Sequence, residues 1–134
     1  MISVQQIMTP RCDLVTLSPA AVVADAGRVM AEHGIRHIPV VGDDGELLGM
    51  VSQRDVLAAG SADELQVPDA AKSRLLGDVM SRPVHSVEPE TGVRQTALRL
   101  QALKIGCLAV MRGSVLEGIV TDADFVGVAI NLLE

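Results

Sequence analysis

Two stretches of the chain share one pattern of side chains capable of chemistry. Gly49 to Asp55 reads GMVSQRD and Gly118 to Asp124 reads GIVTDAD. Each is a glycine, two apolar residues, a hydroxyl residue, two variable positions and an aspartate. The spacing of Ser52 to Asp55, and of Thr121 to Asp124, is that of a capping box. There the hydroxyl accepts from a backbone N–H in the first helical turn, and the acid accepts from the N–H of the cap residue. The same carboxylate suits a second task, because it can accept from two vicinal hydroxyls at once, as the acid of dinucleotide-binding folds does with a ribose. A helix N-terminus beside it also favours a phosphate. Spacing alone leaves both uses open, and one residue pair can serve both.

Other chemistry finds little footing. No P-loop, GxGxxG, GxSxG or HExxH is present, so no acid, base and nucleophile converge on the repeated phrase. His33 and His37 are four apart, but Gly34 and Pro39 break the helix that a zinc pair on one face requires, and no metal site is expected. His85 stands alone in an extended stretch and reads as structural. Cys107 lies in an apolar strand with no base near it in sequence, where a cysteine is expected to be inert. Asp43 and Asp44 sit in a turn bracketed by Gly42 and Gly45, which reads as solvated.

The elements that must position the two phrases follow from periodicity and punctuation. Short helical lead-ins over residues 3–8 and 76–80 run into Thr9-Pro10 and Ser81-Arg82-Pro83. Extended pieces come next at Asp13 to Leu17 and Val84 to Val87. The spacing then predicts helices from Pro19 to about His33 and from Pro89 to about Leu103. Strands are expected at Arg36 to Val41 and Gly106 to Met111, hairpin turns at Gly42 to Gly45 and Arg112 to Ser114, and returning strands at Leu47 to Val51 and Val115 to Val120. Helices from Gln53 to Ala59 and from Asp122 to about Leu132 close the halves. The halves match element by element at a spacing of roughly 70 residues, an internal duplication. The fold class is therefore α/β (α+β), as two β-α-β-β-α motifs. The first spans residues 1–60, the second spans residues 74–134, and residues 61–73, polar and without a counterpart, form a linker.

Composition bounds the rest. A unit of about 60 residues buries too little surface to be secure alone, so two are expected to pack together. With 49% hydrophobic residues in 134 and a mean hydropathy of +0.36, the chain has an apolar surplus suited to interfaces. No apolar run approaches the 18 or so residues of a membrane span. A net charge of -6, with 11 Lys and Arg spread thinly, argues against a nucleic-acid track. MISVQQIM lacks a secretion signal, and Cys12 and Cys107 make no metal or redox spacing, so a cytoplasmic location with reduced thiols is expected. With one Phe and no Trp or Tyr, any bound base must be held by aliphatic walls.

The duplicated order, with MTP in the lead-in, GIRHIPVV in the strand and LLGMVSQRDVL after it, resembles the CBS domain pair, or Bateman module, as a stand-alone tandem of bacterial type. The resemblance covers nearly the whole chain outside the linker. It implies two motifs packed through their sheets with pseudo two-fold symmetry, and clefts between them for AMP, ADP, ATP or S-adenosylmethionine as a regulatory ligand, with no obligatory cofactor. It implies that Asp55 and Asp124 hold ribose, that Ser52 and Thr121 assist at ribose or phosphate, and that Arg36 and His37 supply phosphate cations. Thr16 and Ser86 match positions lining the base or phosphate pocket. Pro39 and Arg54 complete the first set, and Asp122 and Cys107 the second. The halves are unequal, because Gly106, Cys107 and Ala109 stand where the first has Arg36, His37 and Pro39, and Ala123 stands where it has Arg54. The first half is thus the expected phosphate site. The function implied is a non-catalytic sensor that acts through a homodimer or a protein effector, with no nucleic-acid or membrane partner. A dimerisation unit with vestigial clefts and a small nucleotide-processing enzyme are the alternatives.

Overall fold

The computed structural model describes residues 2–61 and 73–133. The linker expected at residues 61–73 lies outside them apart from its two ends. In chain order there is a 3-10 turn at Val4–Gln6, strand β1 (Thr9–Pro10) and a second 3-10 turn at Arg11–Asp13. Helix α1 (Val23–His33) and strands β2 (His37–Val41) and β3 (Leu47–Ser52) follow. Helix α2 (Gln53–Val56) widens into a π-type turn over Leu57–Ser61. Then come helix α3 (Leu76–Val79), strand β4 (Ser86–Val87), helix α4 (Val93–Leu103), strands β5 (Cys107–Arg112) and β6 (Val115–Thr121), and helix α5 (Asp122–Leu132).

The elements gather into two units, one of Val15–Val84 and one of Met1–Leu14 with His85–Glu134. These do not coincide with the sequence repeats, because the lead-in of each repeat belongs to the unit built mainly from the other. Backbone hydrogen bonds tie it there. Val4 N–H donates to Thr91 O at 2.8 Å and Val93 N–H to Ile2 O at 3.0 Å, so residues 2–4 satisfy the start of α4. In the other unit Leu76 N–H donates to Ala21 O at 2.8 Å and Val23 N–H to Arg74 O at 2.9 Å, so residues 74–76 do the same for α1. A helix start leaves amides without intrahelical partners, and here a neighbouring chain segment provides the acceptor.

Both long helices start later than expected, at Val23 and Val93 rather than at Pro19 and Pro89. Each proline opens a tight turn instead. Ser18 Oγ accepts from Ala20 N–H at 3.1 Å and Ser18 O from Ala21 N–H at 3.0 Å, while Glu88 O accepts from Thr91 N–H at 3.0 Å. A hydroxyl that folds back onto its own backbone favours a turn over a helix. Gly34 ends α1 at φ +64°, as its position after His33 suggests. At the end of α4 the same left-handed conformation is taken by Lys104, at φ +55°.

In the Met1–Leu14 and His85–Glu134 unit the strands run in the order β1-β6-β5-β4, with β4 parallel to β5 and the other pairs antiparallel. Alternating strand positions and one face of α4 meet in a core of Val4, Val87, Leu100, Leu108, Val110 and Val120. The Val15–Val84 unit repeats the order with thinner edges. β2 and β3 form the antiparallel pair, Leu17 lies parallel to Val40, and Ser81 antiparallel to Met50. Its core is Val23, Ala26 and Met30 of α1 with Ile38, Val40, Val51, Val56, Ala59 and Leu76. The thinning has a cause in Pro39. Ala109 N–H donates to His85 O at 3.0 Å, but Pro39 has no N–H to give at the corresponding place, so that edge keeps only Leu17 N–H to Pro39 O and Val41 N–H to Leu17 O.

Candidate functional site

Each repeated phrase is the end of a strand turning into a helix. Its glycine is where the lead-in crosses the strand. A Cβ on Gly118 would meet the backbone oxygen of Thr9 and the Met8 sulfur, and one on Gly49 would meet the Met80 side chain, with its sulfur at 2.5 Å. At Gly118 only glycine admits that approach, whereas at Gly49 the flexible Met80 side chain can shift. The next residues, Met50-Val51 and Ile119-Val120, are buried, which anchors the strand and leaves the hydroxyl residue at the rim as the helix cap.

Both caps form. Ser52 N–H donates to Asp55 Oδ2 at 2.8 Å and Asp55 N–H to Ser52 Oγ at 3.1 Å, a reciprocal capping box. Thr121 N–H donates to Asp124 Oδ2 at 2.8 Å, and its hydroxyl lies 3.4 Å from the same oxygen. The other carboxylate oxygen, Oδ1, has no hydrogen-bond partner among the described residues in either aspartate. A carboxylate oxygen has two lone pairs to offer, so each half-buried aspartate keeps an acceptor in reserve.

The cross-strand register brings the predicted neighbours alongside. His37 is paired with Ser52, and Cys107 with Thr121. Gln53 N–H donates to Arg36 O at 2.8 Å, and Asp122 N–H to Gly106 O at 3.1 Å. Within the Val15–Val84 unit, Arg36, His37, Ser52 and Asp55 therefore converge, with Arg54 exposed on the first turn of α2. Thr16 is half-buried beside β2, next to the Leu17 that pairs with Val40. Pro39 is fully buried, so its ring presents no surface to solvent. In the other unit Cys107, Thr121, Asp122 and Asp124 converge. Ser86 pairs with Ala109, two residues along β5 from Cys107, and Asp122 is exposed with Oδ1 accepting from Ala123 N–H at 2.9 Å.

The electrostatics of this second cluster are those of an acid-rich niche. Burial pushes the Asp124 carboxyl above its ordinary range. Asp122 adds to that, and the hydrogen bonds from Thr121 oppose it. The Cys107 thiol is pushed up to about 12, first by burial and then by Asp124 and Asp122. A thiol so held stays protonated near neutrality and is no nucleophile. No group of three or more metal-ligating side chains occurs among the described residues. Nor does any described helix have the length and apolarity to cross a membrane.

Ser81 joins the site through a contact that local sequence does not signal. Its hydroxyl donates to Asp55 Oδ2 at 3.4 Å across 26 residues, a contact that appears only once the second lead-in is laid along β3. The parallel between Thr9-Pro10 and Ser81-Arg82-Pro83 was the available signal, but not which strand each would meet.

Comparison with known proteins agrees with this geometry. The family model described as CBS domain matches residues 4–62 and 76–131, one match per repeat. Among solved structures, a Vibrio cholerae protein provisionally described as an acetoin utilization protein (AcuB) is 43% identical, with a TM-score of 0.84, covering 98% of this chain and 93% of that one. CBSX2, solved in complex with AMP, is 28% identical with a TM-score of 0.85, covering 98% of each chain. Among curated relatives, an uncharacterized 33.4 kDa protein of Thermofilum pendens is 32% identical over 129 residues, which is 92% of this chain and 42% of that protein. A homoserine O-acetyltransferase of Methanosalsum zhilinae is 29% identical over 110 residues, 82% of this chain but 20% of the enzyme. The chain thus spans less than half the length of either relative. With a family match over both repeats and a tandem-pair fold shared with solved relatives, the chain belongs to the CBS domain family.

Proposed function

We propose that this protein senses adenosine-containing ligands, with Asp55 and Asp124 each accepting from the two hydroxyls of a ribose. Binding is then relayed as a change in its own assembly or in a partner's state. The observation that carries the reading is the spared Oδ1 of each aspartate, beside a helix start already secured through Oδ2. The AMP complex of CBSX2, at 28% identity over 98% of this chain, supports the ligand class. AMP, ADP, ATP and S-adenosylmethionine all offer the same vicinal diol. Arg36, His37 and Arg54 favour phosphate at the first phrase, where the second has Gly106, Cys107 and Ala123.

The role is regulatory rather than catalytic in this reading, and the Cys107 thiol, pushed up to about 12, is no nucleophile beside the second phrase. A ligand shifts such a module only by binding one conformation better than another. A second copy of the chain is the natural partner for α5, whose Val126, Ile130 and Leu132 are exposed. The deciding experiment is a calorimetric and thermal-shift panel of the four ligands on the parent, Asp55→Ala and Asp124→Ala. Each substitution is expected to weaken binding at its own phrase by about 1.5 to 3 kcal/mol. Parent-like affinity in both variants rules the assignment out.

A further inference from the structure

Arg11 has no role in the ligand set above, yet its guanidinium is placed unusually. Nη1 is buried and has no hydrogen-bond partner among the described residues. A guanidinium carries its charge at any working pH and presents donors in a fixed fork, so a buried nitrogen of that group without an acceptor is costly unless an anion arrives. Arg11 directly follows β1, whose Pro10 is paired with Gly118, the first residue of the second phrase. It therefore belongs to the unit that holds Thr121 and Asp124, although it lies in the other repeat of the sequence. The acid next to Gly118 on β6, Glu117, is already engaged by Arg112 Nε at 3.1 Å, and Arg112 Nη1 also meets Glu90 at 2.8 Å. The protein thus leaves the buried end of Arg11 unmatched in a unit whose own phrase has lost its cations.

We propose that Arg11 is a phosphate-binding residue, contributed by the N-terminal lead-in to the unit carrying Asp124, so that this unit takes a phosphorylated adenosine in preference to the nucleoside. The proposal rests on the reading of Asp124 as a ribose ligand and names the class of molecule bound there. Charge-assisted pairing of a guanidinium with phosphate oxygens is strong and directional.

The test uses the full chain in the Asp55→Ala background, which weakens the first phrase, with AMP and adenosine as probes. Arg11→Met keeps the length of the side chain and removes its charge. It is expected to weaken AMP binding roughly tenfold or more while changing adenosine binding less than about twofold. Its melting temperature without ligand should be equal or higher, because an unmatched buried charge has been removed. Unchanged AMP affinity overturns the proposal, as does an equal loss of AMP and adenosine with a lowered melting temperature, which marks a packing role. If Arg11→Met does not fold, Arg11→Lys is measured instead. It should still prefer AMP over adenosine, and loss of that preference in a folded protein also overturns the proposal. Failure of the parent chain to bind any adenosine compound refutes the ribose reading and this proposal together. Binding that is intact in the Asp55→Ala background and indifferent to Arg11 refutes this proposal alone.

Discussion

A carboxylate that caps its own helix through one oxygen has been fixed in place without being used up. Asp55 and Asp124 are both in that condition, and the cap explains their orientation as much as any ligand does. Their surroundings differ, and Asp124 gives a prediction with a definite sign. Its carboxyl is raised in the folded protein, chiefly by burial, so the ionised form is disfavoured by folding. A raised acid costs no stability below its unfolded value, and the cost grows as pH rises from there and is complete above the raised, folded one. Asp124→Asn should therefore melt at an equal or higher temperature than the parent at neutral pH, and the parent should gain on the variant as the pH is lowered through the acidic range. Melting curves across pH check this. A variant that is less stable at neutral pH and loses no further ground in acid would contradict it. Ligand affinity at the second phrase should fall over the same acidic range, because protonation removes the charge that strengthens acceptance from the sugar hydroxyls.

At the scale of elements, the lead-in segments decide where each phrase can lie. Gly118 accepts the backbone of β1, which cannot retreat, whereas Gly49 faces the flexible side chain of Met80. Gly118→Ala is expected to cost about 1 to 3 kcal/mol and Gly49→Ala less than about 1 kcal/mol in urea unfolding. Equal costs would mean that the crossing is looser than drawn. The order of strands and helices was legible in the sequence, because the duplication fixes it twice and because β-branched runs and hairpin glycines are local signals. The phrase itself was legible as a cap, since a hydroxyl and an acid three apart act within one turn. What was not legible depends on distant segments. The helices start at Val23 and Val93 because the carbonyls of Arg74 and Ile2 accept from them there, and the reach of Ser81 to Asp55 spans 26 residues. Pro39 reads in sequence as part of a strand, and only the neighbouring Leu17 reveals which hydrogen bond it withholds. Residues 1–60 and 74–134 describe the duplication, while the units are assembled with the lead-ins exchanged.

For the whole molecule, duplication gives two comparable phrases with unequal charge, and an apolar surplus that the described cores do not absorb. α5 has no fully buried residue, and Ile130 is 65% exposed. On the proposed pairing of two copies through α5, Ile130→Glu is expected to leave the fold intact and shift the protein toward monomer in light scattering. A dimer unmoved by the charge places the contact elsewhere. The claim on which the functional account turns is that the spared oxygen of Asp55 and of Asp124 grips a ribose diol. Its most direct measurement is a double-mutant cycle by calorimetry, comparing AMP with 2′-deoxy-AMP on the parent, Asp55→Asn and Asp124→Asn. The account predicts that losing the 2′-hydroxyl weakens binding to the parent about tenfold. At the substituted phrase it predicts little further loss, so that hydroxyl and carboxylate are coupled. The same loss in all three proteins would mean that neither aspartate touches the sugar.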